Sequence, residues 1–173
     1  MRFTLYLAAA AATFAAATPA VAASASASAN ALAKGTVVQP LTLAKNQDLD
    51  FGTVVGSAAS GNVVINADTG GRTVGGGVTG VPSFPGNRGL FTGVGTAGQT
   101  VLLSLTTPTV LVSQSNPLDT ITVTSMGLDS GGATRVIGAS GIFQVGVGGD
   151  FAIAANQPAA LYQASFTLTA DYQ

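Results

Sequence analysis

The end of the chain constrains the fold most. From Leu161 to Gln173 the sequence alternates without a break. Tyr162, Ala164, Phe166, Leu168, Ala170 and Tyr172 fall on one side, and Gln163, Ser165, Thr167, Thr169 and Asp171 on the other. A period of two is the pattern of a β-strand with one buried face and one wet face. A strand that closes the chain must find its partners elsewhere. The apolar-side residues from Tyr162 to Tyr172 are therefore expected to line a core, or a groove used in assembly.

The same chemistry recurs upstream. Short β-type runs are predicted over Thr36–Leu43, Leu49–Val55, Asn62–Asn66, Gly89–Val94, Thr100–Leu105, Thr109–Val112, Thr120–Ser125, Gly141–Val147, Phe151–Ala154 and Leu161–Tyr172. Thr, Val, Ile and Phe dominate them, as a pleated, half-buried surface prefers. Gly, Asn, Asp, Pro and Ser separate them. Strands at this spacing with turn chemistry between them predict an all-β sandwich. Pro40 marks an edge strand or a bulge in the first run, because it has no N–H to give a ladder. The Gly-rich stretch from Thr69 to Gly89 is expected to be a long exposed loop. No window after Ala33 has a helical period.

The opposite end sets the compartment. Met1-Arg2 is a short positive start, Phe3 to Phe14 is apolar, and Pro19-Ala20-Val21-Ala22-Ala23 offers the small residues of a cleavage site. Residues 1–23 are therefore expected to be a signal peptide, cut after Ala22 or Ala23. The competing reading is a membrane-spanning helix, but an Ala-rich run flanked by a processing site fits it poorly. Residues 24–35 are rich in Ala and Ser and are expected to be flexible. Residues 36–173 then form the sandwich domain. No later window is long and apolar enough to span a bilayer. The expected route is the periplasm in transit, then the cell surface or the medium.

Composition removes several function classes. The chain has 6 basic and 7 acidic residues and no basic run, so nucleic acid is excluded as a partner. Losing the signal takes Arg2, which leaves a net charge near −2. Only 8% of residues are charged, against about 25% in typical globular proteins. A surface of Ser, Thr, Asn and Gln repels copies of itself weakly, which favours assembly. There is no Cys, so there is no disulfide and no lipid anchor of the lipoprotein kind.

His, Glu and Trp are absent too. That removes the usual general base and the commonest zinc ligands, and a Ser-His-Asp triad cannot be built. A Ser–Lys pair would need Lys34 or Lys45, neither near a nucleophile turn. Asp48 and Asp50 could share a strand face as a carboxylate pair, but a polar turn leading to Phe51 explains them better. Calcium at those two, or at Asp68, lacks a motif that gathers six to eight oxygens. Gly93-Val94-Gly95-Thr96-Ala97-Gly98 matches G-x-G-x-x-G, yet a β-type run follows it where a dinucleotide site needs a helix. No catalytic residue, cofactor or metal is expected, and the chain is not read as an enzyme.

Several pieces taken in order resemble the exported bacterial family called domain of unknown function 4402. They are Gln39-Pro40-Leu41-Thr42-Leu43, Leu49-Asp50-Phe51-Gly52-Thr53-Val54, Gly98-Gln99-Thr100-Val101, Phe143-Gln144-Val145-Gly146 with Gly148-Gly149, and Ala155-Asn156-Gln157 through Tyr172. The resemblance implies an immunoglobulin-like, pilin-like antiparallel sandwich. A wider similarity is to chaperone–usher pilins, whose last strand also alternates and carries a Tyr beside the C-terminus, as Tyr172 does. Ala160 stands where those pilins usually have Gly. In those pilins a strand from the next subunit, or from a chaperone, completes the sandwich.

The resemblance implies a structural subunit of a surface fibre or biofilm matrix, with self-association or a periplasmic chaperone and usher as partners. Ala25, Ala27, Ala29, Ala31 and Ala33 are small for a donor strand, and Ala31 to Val38 is the stronger stretch. The alternative is a monomeric cell-surface adhesin or carbohydrate-binding module using the Gly-rich loop. That loop is poor in the aromatics on which sugars stack, with only Phe84 before Phe91.

Overall fold

Thirteen strands and no helix make up the described residues, 26–173, of the computed structural model. The expected signal peptide lies outside them. Residues 26–41 carry no regular structure, and residues 26–40 are exposed. Residues 36–173 form one compact unit.

The strands are β1 Thr42–Gln47, β2 Val54–Val55, β3 Gly61–Ile65, β4 Arg72–Gly76, β5 Thr79–Gly80, β6 Gly89–Val94 and β7 Thr100–Thr106. After them come β8 Val110–Ser113, β9 Thr120–Leu128, β10 Thr134–Val136, β11 Ile142–Ile153, β12 Tyr162–Gln163 and β13 Thr167–Tyr172. The large sheet runs β1-β6-β11-β9-β8-β12, and β3 and β4 extend it beside the second half of β11. The small sheet is β10-β7-β13, and β2 pairs β5 as a separate ribbon. All pairings are antiparallel.

The large and small sheets enclose a shared core. Phe91, Phe143, Val145 and Val147 of the large sheet meet Val101, Leu103 and Leu168 of the small one. A second cluster collects Val63, Leu111, Ile121, Phe151, Ile153 and Tyr162. The fold is an immunoglobulin-like, pilin-like antiparallel sandwich, curled toward a half-barrel.

β11 organises both clusters. Residues 142–147 pair with β6 and residues 149–153 with β3 along one edge, while residues 147–152 pair with β9 on the other. The sequence predicts two strands here, parted by Gly148-Gly149; the structure has one. The glycines serve close approach and not a turn. A Cβ on Gly148 would collide with the Ile65 carbonyl and come 2.6 Å from the Ala67 nitrogen. The backbone leaving β3 crosses over β11 at that point, and only Gly leaves room.

Other expectations change as well, and the run predicted over Leu49–Val55 is a strand only at Val54–Val55. The first strand starts at Thr42, after Pro40, and Gln39 is held by side chains instead: its N–H donates to Thr96 Oγ1 at 2.7 Å. The Gly-rich region contains β4 and β5, because ladder bonds come from the backbone and need no side chains. The closing run is two strands in different sheets. β12 pairs with β8 and β13 with β7, and the chain crosses over at Ala164–Phe166. The alternation lapses at Ala164, which is exposed, and resumes from Phe166 because both sheets turn their inner faces to the same interior.

Candidate functional site

A concavity lies where the first and last parts of the domain approach without pairing. Its volume is about 700 Å³. One wall carries Leu49 and Phe51, and the other carries Ala164, Ser165 and Phe166. A second hollow of about 470 Å³ continues it between Val54–Gly56 and Gln157–Leu161, sharing Asp50, Phe51, Leu161 and Tyr162. Together they make one cleft along the edge of the second apolar cluster.

Each wall follows from local structure. Asp50 and Asn87 exchange two backbone hydrogen bonds, at 2.9 and 2.7 Å. In an antiparallel bridge of this kind, the neighbouring residue turns its own backbone groups to the opposite edge. Leu49 is that neighbour, and it lines the cleft. Asp50 Oδ1 accepts the Gly52 N–H at 2.7 Å, so this carboxylate closes a turn, and Gly52 sits at φ 74°. On the far wall, Gln114 N–H donates to the Leu161 carbonyl at 2.8 Å and β12 pairs with β8. Beyond Gln163 the pairing stops. Among the described residues, the backbones of Ala164, Ser165 and Phe166 have no partner.

The floor is apolar and aromatic. Phe51 and Phe151 stand with ring centroids 5.3 Å apart, and Phe91 meets Phe166 edge to face at 5.9 Å. Leu161 and Val55 sit on the rim, 62% and 57% exposed. Polar groups line the cleft as well: Lys45 and Asp48, joined at 2.6 Å across two exposed side chains, and Asp50, Gln114, Gln163 and Ser165. An exposed pair of this kind contributes little to stability.

The residues expected to line a core or groove divide between two places. Leu168 is buried in the closed core, with Ala170 and Tyr172 packed partly against it. Tyr162 is buried beneath the cleft, Phe166 is half-buried in its wall, and Ala164 is exposed at the crossing. Both tyrosine hydroxyls are satisfied within the chain. Tyr172 donates to the Gln39 carbonyl at 2.9 Å and accepts from Thr96 N–H at 2.8 Å. Tyr162 donates to the Pro158 carbonyl at 2.7 Å and accepts from Gln157 Nε2 at 2.8 Å. Leu49, Phe51 and Leu161 were not singled out from the sequence as site residues. The Leu49-x-Phe51 alternation is the signal that could have pointed to the first wall.

The chemistry this cleft offers is binding. Backbone without a ladder partner lines both walls, at Leu49 on one and at Ala164–Phe166 on the other, and aromatic rings lie beneath. Among the described residues no three His, Cys, Asp or Glu gather as a metal group requires. The G-x-G-x-x-G match is divided: Gly93 lies inside β6 opposite Phe143, and β7 follows Gly98 with no helix. No helix among the described residues is long and apolar enough to cross a membrane.

No curated protein and no solved structure matches the chain. The family model described as Domain of unknown function (DUF4402) matches residues 41–172, both walls of the cleft included. The chain belongs to the DUF4402 family.

Proposed function

We propose that the protein is a pilin-like subunit of a surface fibre or biofilm matrix, joined to its neighbours by β-strand addition into the cleft. Family and sandwich fold support the coarser reading, a structural or adhesin-like exported protein. One observation carries the finer one: the backbones at Leu49 and at Ala164–Phe166 face a shared apolar floor with no strand between them. A guest strand there gains ladder hydrogen bonds on its edges and buries apolar side chains against Phe51, Phe151 and Phe166. A strand of a periplasmic chaperone would occupy the cleft before assembly, and a segment of the next subunit would replace it at the usher.

The test is electron microscopy of producing cells carrying Leu161→Asp. Leu161 is exposed, so the subunit should fold and be exported while fibres are lost. Normal fibres from that variant would overturn the reading. Deleting residues 24–34 then asks whether the N-terminal segment is the donor. Glycan binding by a monodisperse protein, unaffected by Leu161→Asp, would favour the adhesin or carbohydrate-binding alternative.

A further inference from the structure

We infer that Arg72 is the positioning residue of the cleft, fixing the wall that presents Leu49 and Phe51. The inference rests on the strand-acceptor reading given above. The β2–β5 ribbon and the segment around it are hydrogen-bonded by backbone to one another, and the ribbon belongs to neither main sheet. Arg72 stands on β4, which belongs to the large sheet through β3. Its guanidinium reaches across. Nη1 donates to the carbonyls of Thr53 at 2.9 Å, Phe84 at 3.0 Å and Phe51 at 3.3 Å, and Nη2 to Val81 at 2.9 Å. One side chain therefore gathers carbonyls from the segments that flank both strands of the ribbon and ties them to the sheet.

The site is shaped for this group. A Cβ on Gly80 would come 2.5 Å from Nη2, and one on Gly52 would come 2.6 Å from Nη1. Gly52 also holds a left-handed φ of 74°, which L side chains rarely adopt. Among the described residues Arg72 makes no salt bridge, and its Nη groups bond only carbonyls, the two Nη1 hydrogens shared among three of them. A planar fork with five fixed donors sets the angles between those carbonyls. A lysine ammonium has three donors on one nitrogen and cannot span all four acceptors. Holding the Phe51 carbonyl also keeps it from the cleft, which leaves Leu49 as the open backbone on that wall.

The experiment compares the full mature chain with Arg72→Lys and Arg72→Met. Amide hydrogen exchange is read over residues 49–56 and, as an internal reference for folding, over β7 and β13. Electron microscopy of producing cells gives the second readout. Both variants should keep β7 and β13 protected, exchange residues 49–56 roughly tenfold faster, and lose fibres. Unchanged exchange over residues 49–56 in both variants would overturn the assignment. So would a loosened wall with normal fibres, provided Leu161→Asp abolishes them. If Leu161→Asp leaves fibres intact while the Arg72 variants still loosen the wall, the strand-acceptor reading fails and the wall-positioning role stands.

Discussion

β11 feeds two apolar clusters, and the two ends of the sandwich treat them differently. At one end Val145 and Val147 are inaccessible beneath β7 and β13, and the Tyr172 hydroxyl latches the chain end to Gln39 and Thr96. At the other end Phe151 and Ile153 are also buried, but their cover is thin. It includes the two-residue β12, the buried Val78, and Leu49, Phe51, Val54 and Ala160 at partial burial. The cause is connectivity. The final segment pairs briefly with β8, then crosses to β7 and spends its length sealing the first cluster. One end is closed by six ladder pairs and the other by two, which leaves open edges at the second. Completeness of burial here depends on how many strands cross a face and not on how apolar the face is.

Four measurements would break or sharpen that contrast. The largest effect is expected from Leu168→Asp. A carboxylate with no partner in the closed cluster costs several kcal/mol, comparable with the whole stability of a domain. The variant should show no cooperative thermal transition by circular dichroism, and a normal melt would mean that this end is not sealed. Next is the pair Leu168→Ala and Leu161→Ala. The first should cost about 2–5 kcal/mol and the second less than about 0.5 kcal/mol in urea unfolding. Equal losses would erase the difference between the ends.

Tyr172→Phe should cost about 1–2 kcal/mol, or roughly 3–8 °C in Tm, because Thr96 N–H loses its acceptor and the Gln39 carbonyl its donor. An unchanged Tm would show that the latch contributes nothing to closure. The smallest effect is electrostatic and lies away from both clusters. Hydrogen bonds from Ser130, first from its backbone N–H at 2.7 Å, hold Asp68 below the usual carboxylate range, helped by Arg88 and Arg135. A lowered folded-state pKa contributes stability above the unfolded value, and that stability is lost as pH falls through the folded value. Wild-type protection of the 129–133 turn should therefore weaken below about pH 4, and Asp68→Asn should remove that dependence. A turn equally labile at pH 3 and pH 6 would sink this account.

Much of the fold is legible residue by residue. The Gly89–Val94 run is β6 from end to end. In the closing run the inward side holds at Tyr162, Phe166, Leu168, Ala170 and Tyr172 and fails only at Ala164, where the chain leaves one sheet for the other. Side-chain pattern shows which face a residue takes, and it is blind to the ladder that a strand joins. Gly carries the same ambiguity. Gly148-Gly149 looks like a turn, and becomes one only if no other backbone needs the space; here the Ala67 backbone takes it. The cleft was half legible. Its floor shows as scattered Phe, but its walls come from segments more than 100 residues apart, and no local pattern joins Leu49 to Ser165.

Sparse charge, read from sequence as a surface property, has an internal use in the structure. Arg72 gathers four carbonyls, Arg88 donates to the carbonyls of Ala67 and Asp68, and Arg135 joins Asp129 and the Gly132 carbonyl. The three guanidinium groups of the sandwich domain fasten segments that side-chain packing holds weakly. Composition counts such residues but does not say what they grip.

The sequence by itself determined the β class, the inward face of the closing run and the absence of His, Cys and Glu chemistry. Those properties belong to side chains, which differ along the chain and can be read in order. Tertiary structure alone decided which strands share a sheet, which end is sealed and where a backbone edge stays open. Those properties belong to backbone N–H and C=O groups, which nearly every residue carries alike, so only the folded arrangement distinguishes a paired edge from an open one.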